Sequence, residues 1–321
     1  MGLRVQPGVI GCVIRPVIAT RDRSLEEIIY DTAQMALADA GLTIEDIDGI
    51  AVASNDQFDG RSISVMMASG SVGGVDRDIM STPSAGEHAF ILGALRVATG
   101  QFRTQLIVSW SPTEVSSMAE AQRLGTDPYF HRALPLDELS AHALQASAIE
   151  HAVPGVRATA TAVAEKNRRQ GEAAWTSPPL RPDAGKLRWP LLPAMTSAPV
   201  TGAVAMVLAA PDFIHERGIK DVAWLQGMGW ATETGFLGDR DLSTAPALEA
   251  ATRQAYAMAG ITDPIAAFDV AEVTDASPYA ELLAYEALGL CGRDDWAART
   301  ADGTFGLGGA LPVNPSGGVL T

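Results

Sequence analysis

Tyr279 stands at the second position of a helix that Ser277 is placed to cap and Pro278 to open. A helix N-terminus lowers a phenol's pKa, which would suit an acid/base group; the alternative is a core tyrosine packed under an amphipathic helix. Just upstream, Thr274-Asp275-Ala276-Ser277 offers a carboxyl, Asp275, that could serve chemistry, order the loop or cap the helix. Asn314 opens Asn314-Pro315-Ser316-Gly317-Gly318, residue types that make a tight turn and present an amide able to hold a water or an oxyanion. Ser84, in Pro83-Ser84-Ala85-Gly86, has a nucleophile's hydroxyl but no visible base, and capping the next helix is its other reading. His88 could face a site or lie on the surface. Lys166, Arg168 and Arg169 could contact the phosphates of an anionic ligand or line a solvated helix face.

The whole chain limits what these groups can be used for. It has 321 residues, 47% of them hydrophobic, and a net charge of −15. That size supports one large core or two smaller ones. The acidic balance argues against nucleic acid or an anionic membrane as the main partner. Cys12 and Cys291 stand far apart and outside any Cys-x-x-Cys or Cys/His cluster, so no metal or redox motif is present and a reducing, cytoplasmic compartment is the default. Arg4 and Arg15 interrupt the opening segment, which predicts neither a signal peptide nor a membrane span.

The elements that must position the candidate residues alternate between strand and helix. "GVIGCVIRPV", "IDGIAVAS", "TQLIVSWS" and "TGAVAMVLAA" are apolar strand segments. Ser24 and Glu27 form a capping box for a helix that Gly41 stops, and "SAGEHAFILGALRVATG" predicts a second helix. Residues 116–194 lose this pattern and predict an irregular inserted loop region. From about Asp221 the order resumes: "DVAWLQGMGWAT" as a strand, "APALEAATRQAYAMAG" as a helix, "FDVAEV" as a strand and "SPYAELLAYEALGL" as a helix. The repeated order predicts a duplicated α/β architecture. Its N-terminal half would take 1–115 and 195–215, its loop domain 116–194 and its C-terminal half 216–321.

The stretch "ELLAYEALGLC" followed by "NPSGG" resembles the C-terminal half of thiolases, closest to the sterol carrier protein X branch. "GEHAFILGALRVATGQFRTQLIVSWSPTE" resembles the helix after the thiolase nucleophile and its core strand. Aligned on Gly86 and "ATG", Pro83 falls where the nucleophilic cysteine belongs, and a slip of one residue would put Ser84 there. Thr274 stands where that branch has its histidine, and Asp275 is retained. In the family, "NPSGG" leads into further motifs, which the chain's end at Thr321 precedes; the expectation is that the C-terminal part is missing.

The resemblance implies a thiolase-like α/β fold: two similar halves in a layered sheet–helix core, with a loop domain that covers an acyl-CoA. Lys166, Arg168 and Arg169 then become candidates for the CoA phosphates, and Asn314 for the family's active-site hydrogen-bond network. No cofactor is implied, because the CoA thioester is the substrate. Thiolysis needs a thiolate and a histidine base; Pro83 and Thr274 supply neither, and the positions of Cys12 and Cys291 rescue neither. Thiolase-like aldolases of the same superfamily cleave β-hydroxyacyl-CoA esters without that pair, using tyrosine acid/base groups and a small partner of the DUF35 type. The expectation is therefore a thiolase-like protein of retro-aldol type, with Tyr279, Asn314, Ser84 and Asp275 as site residues. It would be a homodimer, with a DUF35-type partner possible. The alternative is a non-catalytic thiolase-like subunit supporting an active paralogue or such a partner.

Overall fold

The computed structural model describes residues 3–15, 23–60, 62–83, 85–111, 117–175, 188–197 and 200–320. In chain order the elements are β1 (Gly8–Arg15), α1 (Leu25–Asp39), β2 (Gly49–Ala53), α2 (Asp56–Asp59), α3 (Ser64–Ala68), β3 (Asp78–Thr82), α4 (Gly86–Ala98), β4 (Thr104–Ser111) and α5 (Met118–Gly125). They continue with α6 (Glu138–Ala152), α7 (Val156–Ala174), β5 (Gly202–Ala209), α8 (Pro211–Arg217), β6 (Ala223–Trp224), α9 (Pro246–Ala259), α10 (Pro264–Ala267), α11 (Pro278–Ala287) and α12 (Trp296–Ala301). Two compact units result: Met1–Pro128 with Pro199–Gln226, and Tyr129–Ala198 with Gly227–Thr321.

The first unit is built on one six-stranded sheet in the order β3-β2-β4-β5-β1-β6. β2 pairs in parallel with β3 and β4, and the remaining pairs are antiparallel. Side chains alternate across a strand, so β2 and β4 feed both faces. Ile50, Val52, Leu106 and Val108 join Ile28 and Ile29 of α1 in one buried cluster. On the other face, a Cβ at Gly93 of α4 would come within 2.9 Å of Ile107, so only glycine lets α4 lie this close to the sheet. Every residue of β2 is buried, as two covered faces require. The capping box at the start of α1 forms as expected: Ser24 Oγ accepts from the Glu27 amide, and the Glu27 carboxylate accepts from the Ser24 amide.

The second unit keeps the expected order but not the expected pairing. α9 and α11 form where "APALEAATRQAYAMAG" and "SPYAELLAYEALGL" predict them, and Ser277 caps α11 through the Ala280 amide. The strand expected over "DVAWLQGMGWAT" reduces to Ala223–Trp224, which pairs with β1 of the first unit's sheet. "FDVAEV" is extended, yet among the described residues it makes a single bridge, Ala271 to Val313. A strand needs neighbours along its length, and among the described residues the bridge to Val313 is the one pairing this segment makes.

The region 116–194 also departs from its irregular reading, since it holds α5, α6 and α7. Their apolar stripe is thin and made of small residues: Ala143, Ala146, Ile149, Val156, Ala160, Val163 and Ala164 pack with Leu282, Leu283 and Trp296 in the second unit's core. α6 and α7 therefore belong to the same compact unit as α11. Among the described residues no helix is long and apolar enough to cross a membrane.

Candidate functional site

Within the second unit, two of the expected site residues are brought together by residues that the sequence motifs do not include. Asp275 ends the extended segment before α11 and is wholly buried. Its Oδ1 accepts from the Val319 amide at 2.5 Å, and its Oδ2 accepts from Asn167 Nδ2 at 2.7 Å. Asn314 is equally buried and sits at φ +51°. Its Oδ1 accepts from the Val273 amide at 2.7 Å, and its Nδ2 donates to Glu281 Oε2 at 2.7 Å.

Glu281, one helical turn into α11, is the centre of this network. Asn167 Nδ2 donates to its Oε2 at 2.5 Å, and Lys166 Nζ lies 2.9 Å from its Oε1. The Tyr285 hydroxyl, one turn further along α11, also donates to Oε1. Lys166 and Gln170 of α7 tie the network to the main chain: Lys166 Nζ donates to the Val313 carbonyl at 2.6 Å, and Gln170 Nε2 to the Asn314 carbonyl at 2.6 Å. Asn167 Oδ1 is buried without a hydrogen-bond partner among the described residues.

Electrostatics follow from burial. Asp275 is pushed up to about 7, first by desolvation and further by the Glu281 charge, against the pull of the Val319 and Asn167 hydrogen bonds. A buried carboxyl near neutrality is an acid/base group in waiting, and such groups gather at functional sites.

Tyr279 is buried in a separate arrangement. Its hydroxyl donates to Glu150 Oε1 at 2.5 Å, and Arg157 donates to both Glu150 oxygens, to Oε1 at 2.8 Å and to Oε2 at 2.6 Å. This corrects the expectation of a lowered phenol pKa. Burial and the adjacent Glu150 carboxylate raise it well above the usual tyrosine range and outweigh the helix N-terminus. Glu150 itself is lowered, chiefly by its hydrogen bond to Arg157.

The basic trio does not form one phosphate site. Lys166 points into the buried network, Arg168 donates to the carbonyls of Ala194 and Thr196, and Arg169 is exposed. Lys166 and Arg168 are two apart, which puts them about 200° apart around α7 and on opposite sides of it. Thr274 is exposed beside the buried Asp275, and Pro83 and His88 are exposed in the first unit. Ser84 lies outside the described residues. The N-cap of α4 is Ala85, whose side chain makes no capping hydrogen bond. Burial raises Cys291 to about 11, and burial followed by the Asp39 charge raises Cys12, so neither thiol is primed as a thiolate.

Glu281, Asn167 and Gln170 had a signal in the sequence. Glu281 is a carboxylate inside an otherwise apolar helix, four residues before Tyr285 and so on the same face. Asn167 and Gln170 are three apart on α7, which also puts them on one face.

Comparison with known proteins places this geometry. Residues 229–321 match the family described as "Thiolase C-terminal domain-like". The "Benzoylsuccinyl-CoA thiolase subunit BbsB" of Thauera aromatica is 31% identical over 120 residues, 37% of this chain and 31% of that protein. Human "Sterol carrier protein 2" is 32% identical over 130 residues, 37% of this chain and 22% of that protein. The chain thus spans less than a third of these curated relatives. A solved "Ltp2-ChsH2(DUF35) aldolase" superposes over 100% of this chain and 86% of that one, with a TM-score of 0.79 at 21% identity, a likeness of fold. The fold is thiolase-like. Within that class, residues 229–321 match the thiolase C-terminal domain-like family, and the sterol carrier protein relatives make the likeness one to the sterol carrier protein thiolase-like branch.

Proposed function

We propose that this thiolase-like protein acts on acyl-CoA thioesters by retro-aldol cleavage, or its reverse, rather than by thiolysis. One observation carries the reading: a carboxyl with raised proton affinity, Asp275, lies beside buried amide donors, while by resemblance Pro83 and Thr274 fall at the nucleophile and base positions. The fold likeness to a DUF35-paired aldolase supports it. Retro-aldol cleavage needs no covalent intermediate. A base removes the β-hydroxyl proton, the Cα–Cβ bond breaks, and its electrons form a thioester enolate. A carbonyl compound leaves, and the enolate carbon takes a proton to give the shortened acyl-CoA.

In this reading Tyr279 works as a relay, taking the β-hydroxyl proton as its own passes to Glu150. Asn314 faces the enolate oxygen. The protein acts as a homodimer with a DUF35-type partner. Because Tyr279, Asp275 and Asn314 are all wholly buried, substrate reaches them once covering segments of the second unit move aside.

The same burial favours a second reading, in which these polar groups only hold the second unit together and the chain is a non-catalytic subunit. The two separate experimentally. The chain is co-expressed with a DUF35-type partner and assayed for carbonyl release from a panel of β-hydroxyacyl-CoA esters. Cleavage that falls on the order of 100-fold in Tyr279→Phe supports the first reading. No cleavage of any ester, with the partner bound, supports the second.

A further inference from the structure

We propose that Glu281 is the positioning residue of this site: one buried carboxylate that sets the geometry of both site-bearing segments, 271–277 and 313–319. The proposal rests on the reading of these segments as the reaction site.

Both oxygens of Glu281 are fully occupied. Oε1 takes Lys166 Nζ and the Tyr285 hydroxyl, and Oε2 takes Asn167 Nδ2 and Asn314 Nδ2. All the partners are donors, so the position requires an acceptor-only group. Each amide that Glu281 fixes also holds a site segment, Asn314 through its Oδ1 and Asn167 through the same Nδ2. Asn314, with Nδ2 pinned, turns Oδ1 to the Val273 amide and so fixes the chain immediately before Thr274-Asp275. Asn167, pinned by the same oxygen, holds the Asp275 carboxylate, whose other oxygen holds the Val319 amide of the last turn. The left-handed backbone of Asn314, at φ +51°, is a conformation that such fixed contacts maintain. Glu281 is wholly buried, and its helix is anchored by Leu282, Leu283 and Tyr285 in the core, so the hub itself is rigid.

Glutamine at this position has the right shape and the wrong hydrogen bonds. Whichever way its amide turns, an N–H faces donors: the two asparagine amides, or the Lys166 ammonium. Glu281→Gln should release Asn314 and Asn167 while leaving the core intact.

The first measurement is hydrogen–deuterium exchange of the full chain, read on peptides covering 271–277 and 313–319. Glu281→Gln should exchange at least about tenfold faster in these two segments than in α9, which shares the unit but not the network. Leu283→Ala, a core truncation on the same helix, should raise exchange across the unit with no such focus. If Glu281→Gln fails to fold, Lys166→Met with Glu281→Leu removes the buried cation together with the anion and restores folding without restoring the acceptor for Asn314. Focused exchange in either variant upholds the proposal; uniform or unchanged exchange overturns it. Where the wild type cleaves β-hydroxyacyl-CoA esters, kcat in Glu281→Gln should fall about 100-fold with KM changed little, the scale of a misplaced reacting group. An unchanged kcat would overturn the proposal while leaving the retro-aldol reading standing. A wild type inactive on every ester would overturn the retro-aldol reading and leave the exchange result to decide the hub.

Discussion

Replacing Gly318 with alanine tests the closest contact in the candidate site. Gly318 has φ +65°, and a Cβ there would overlap Asp275 Oδ1 and stand 2.6 Å from its Cγ. Two costs follow. The left-handed backbone costs an alanine about 1–2 kcal/mol. The clash forces Asp275 away from the Val319 amide and Asn167 Nδ2, which it now meets at 2.5 and 2.7 Å. Losing part of those bonds to a buried carboxyl costs a further ~1.5–3 kcal/mol, so the total is on the order of 2.5–5 kcal/mol. Gly303 is the control, because it has φ +79° and nothing within 4 Å of where a Cβ would stand, so alanine there carries the backbone cost alone. Urea unfolding of the two variants should differ by ~1.5–3 kcal/mol. In an Asp275→Ala background Gly318→Ala should cost no more than Gly303→Ala, since the clashing carboxyl is gone. Equal destabilisation by the two glycine substitutions in the parent chain would refute the reasoning.

Further expectations attach to other groups. Asp275 is pushed up to about 7 in the folded chain, chiefly by burial, against 3.8 for the free group. The folded state therefore holds an extra proton between these values; stability is fully present below about pH 4, falls as pH rises to about 7 and is flat beyond. Asp275→Asn should remove that slope, worth on the order of 2–4 kcal/mol across a urea-unfolding pH series. Tyr279→Phe removes the donor to Glu150 and should cost about 1 kcal/mol of stability by the same unfolding assay, whether or not the phenol serves catalysis. Incubation with acetyl-CoA or acetoacetyl-CoA should leave no acyl adduct on any residue by intact-mass spectrometry, Ser84, Cys12 and Cys291 included; an adduct on Ser84 would revive nucleophilic catalysis.

The strands and helices of the first unit are legible in sequence because their signals are local. β4 forms over the predicted "TQLIVSWS", and the Ser24–Glu27 box forms as expected. β3, "DIMST", escapes sequence reasoning because its residues are mostly exposed and carry no apolar alternation. The second unit is legible in its helices, whose caps are local, and not in its strands, whose existence depends on partners elsewhere in the chain. In the site, motif spacing points to Asn314 and Asp275. It does not point to Glu281 and Asn167, because their role comes from α7 packing on α11, a pairing more than a hundred residues apart in sequence. The direction of the Tyr279 pKa shift reverses between sequence and structure because the helix N-terminus is visible in sequence and the Glu150 carboxylate beside the phenol is not.

The central claim is retro-aldol chemistry in place of thiolysis. The direct test is mass spectrometry of the products formed from a β-hydroxyacyl-CoA in D2O, with the DUF35-type partner present and no free CoA added. The account predicts a carbonyl compound and a shortened acyl-CoA carrying one solvent deuterium at Cα, formed without any acyl-enzyme. An intact ester, or cleavage of the matching β-ketoacyl-CoA that appears only when free CoA is supplied and leaves an acylated protein, would contradict it.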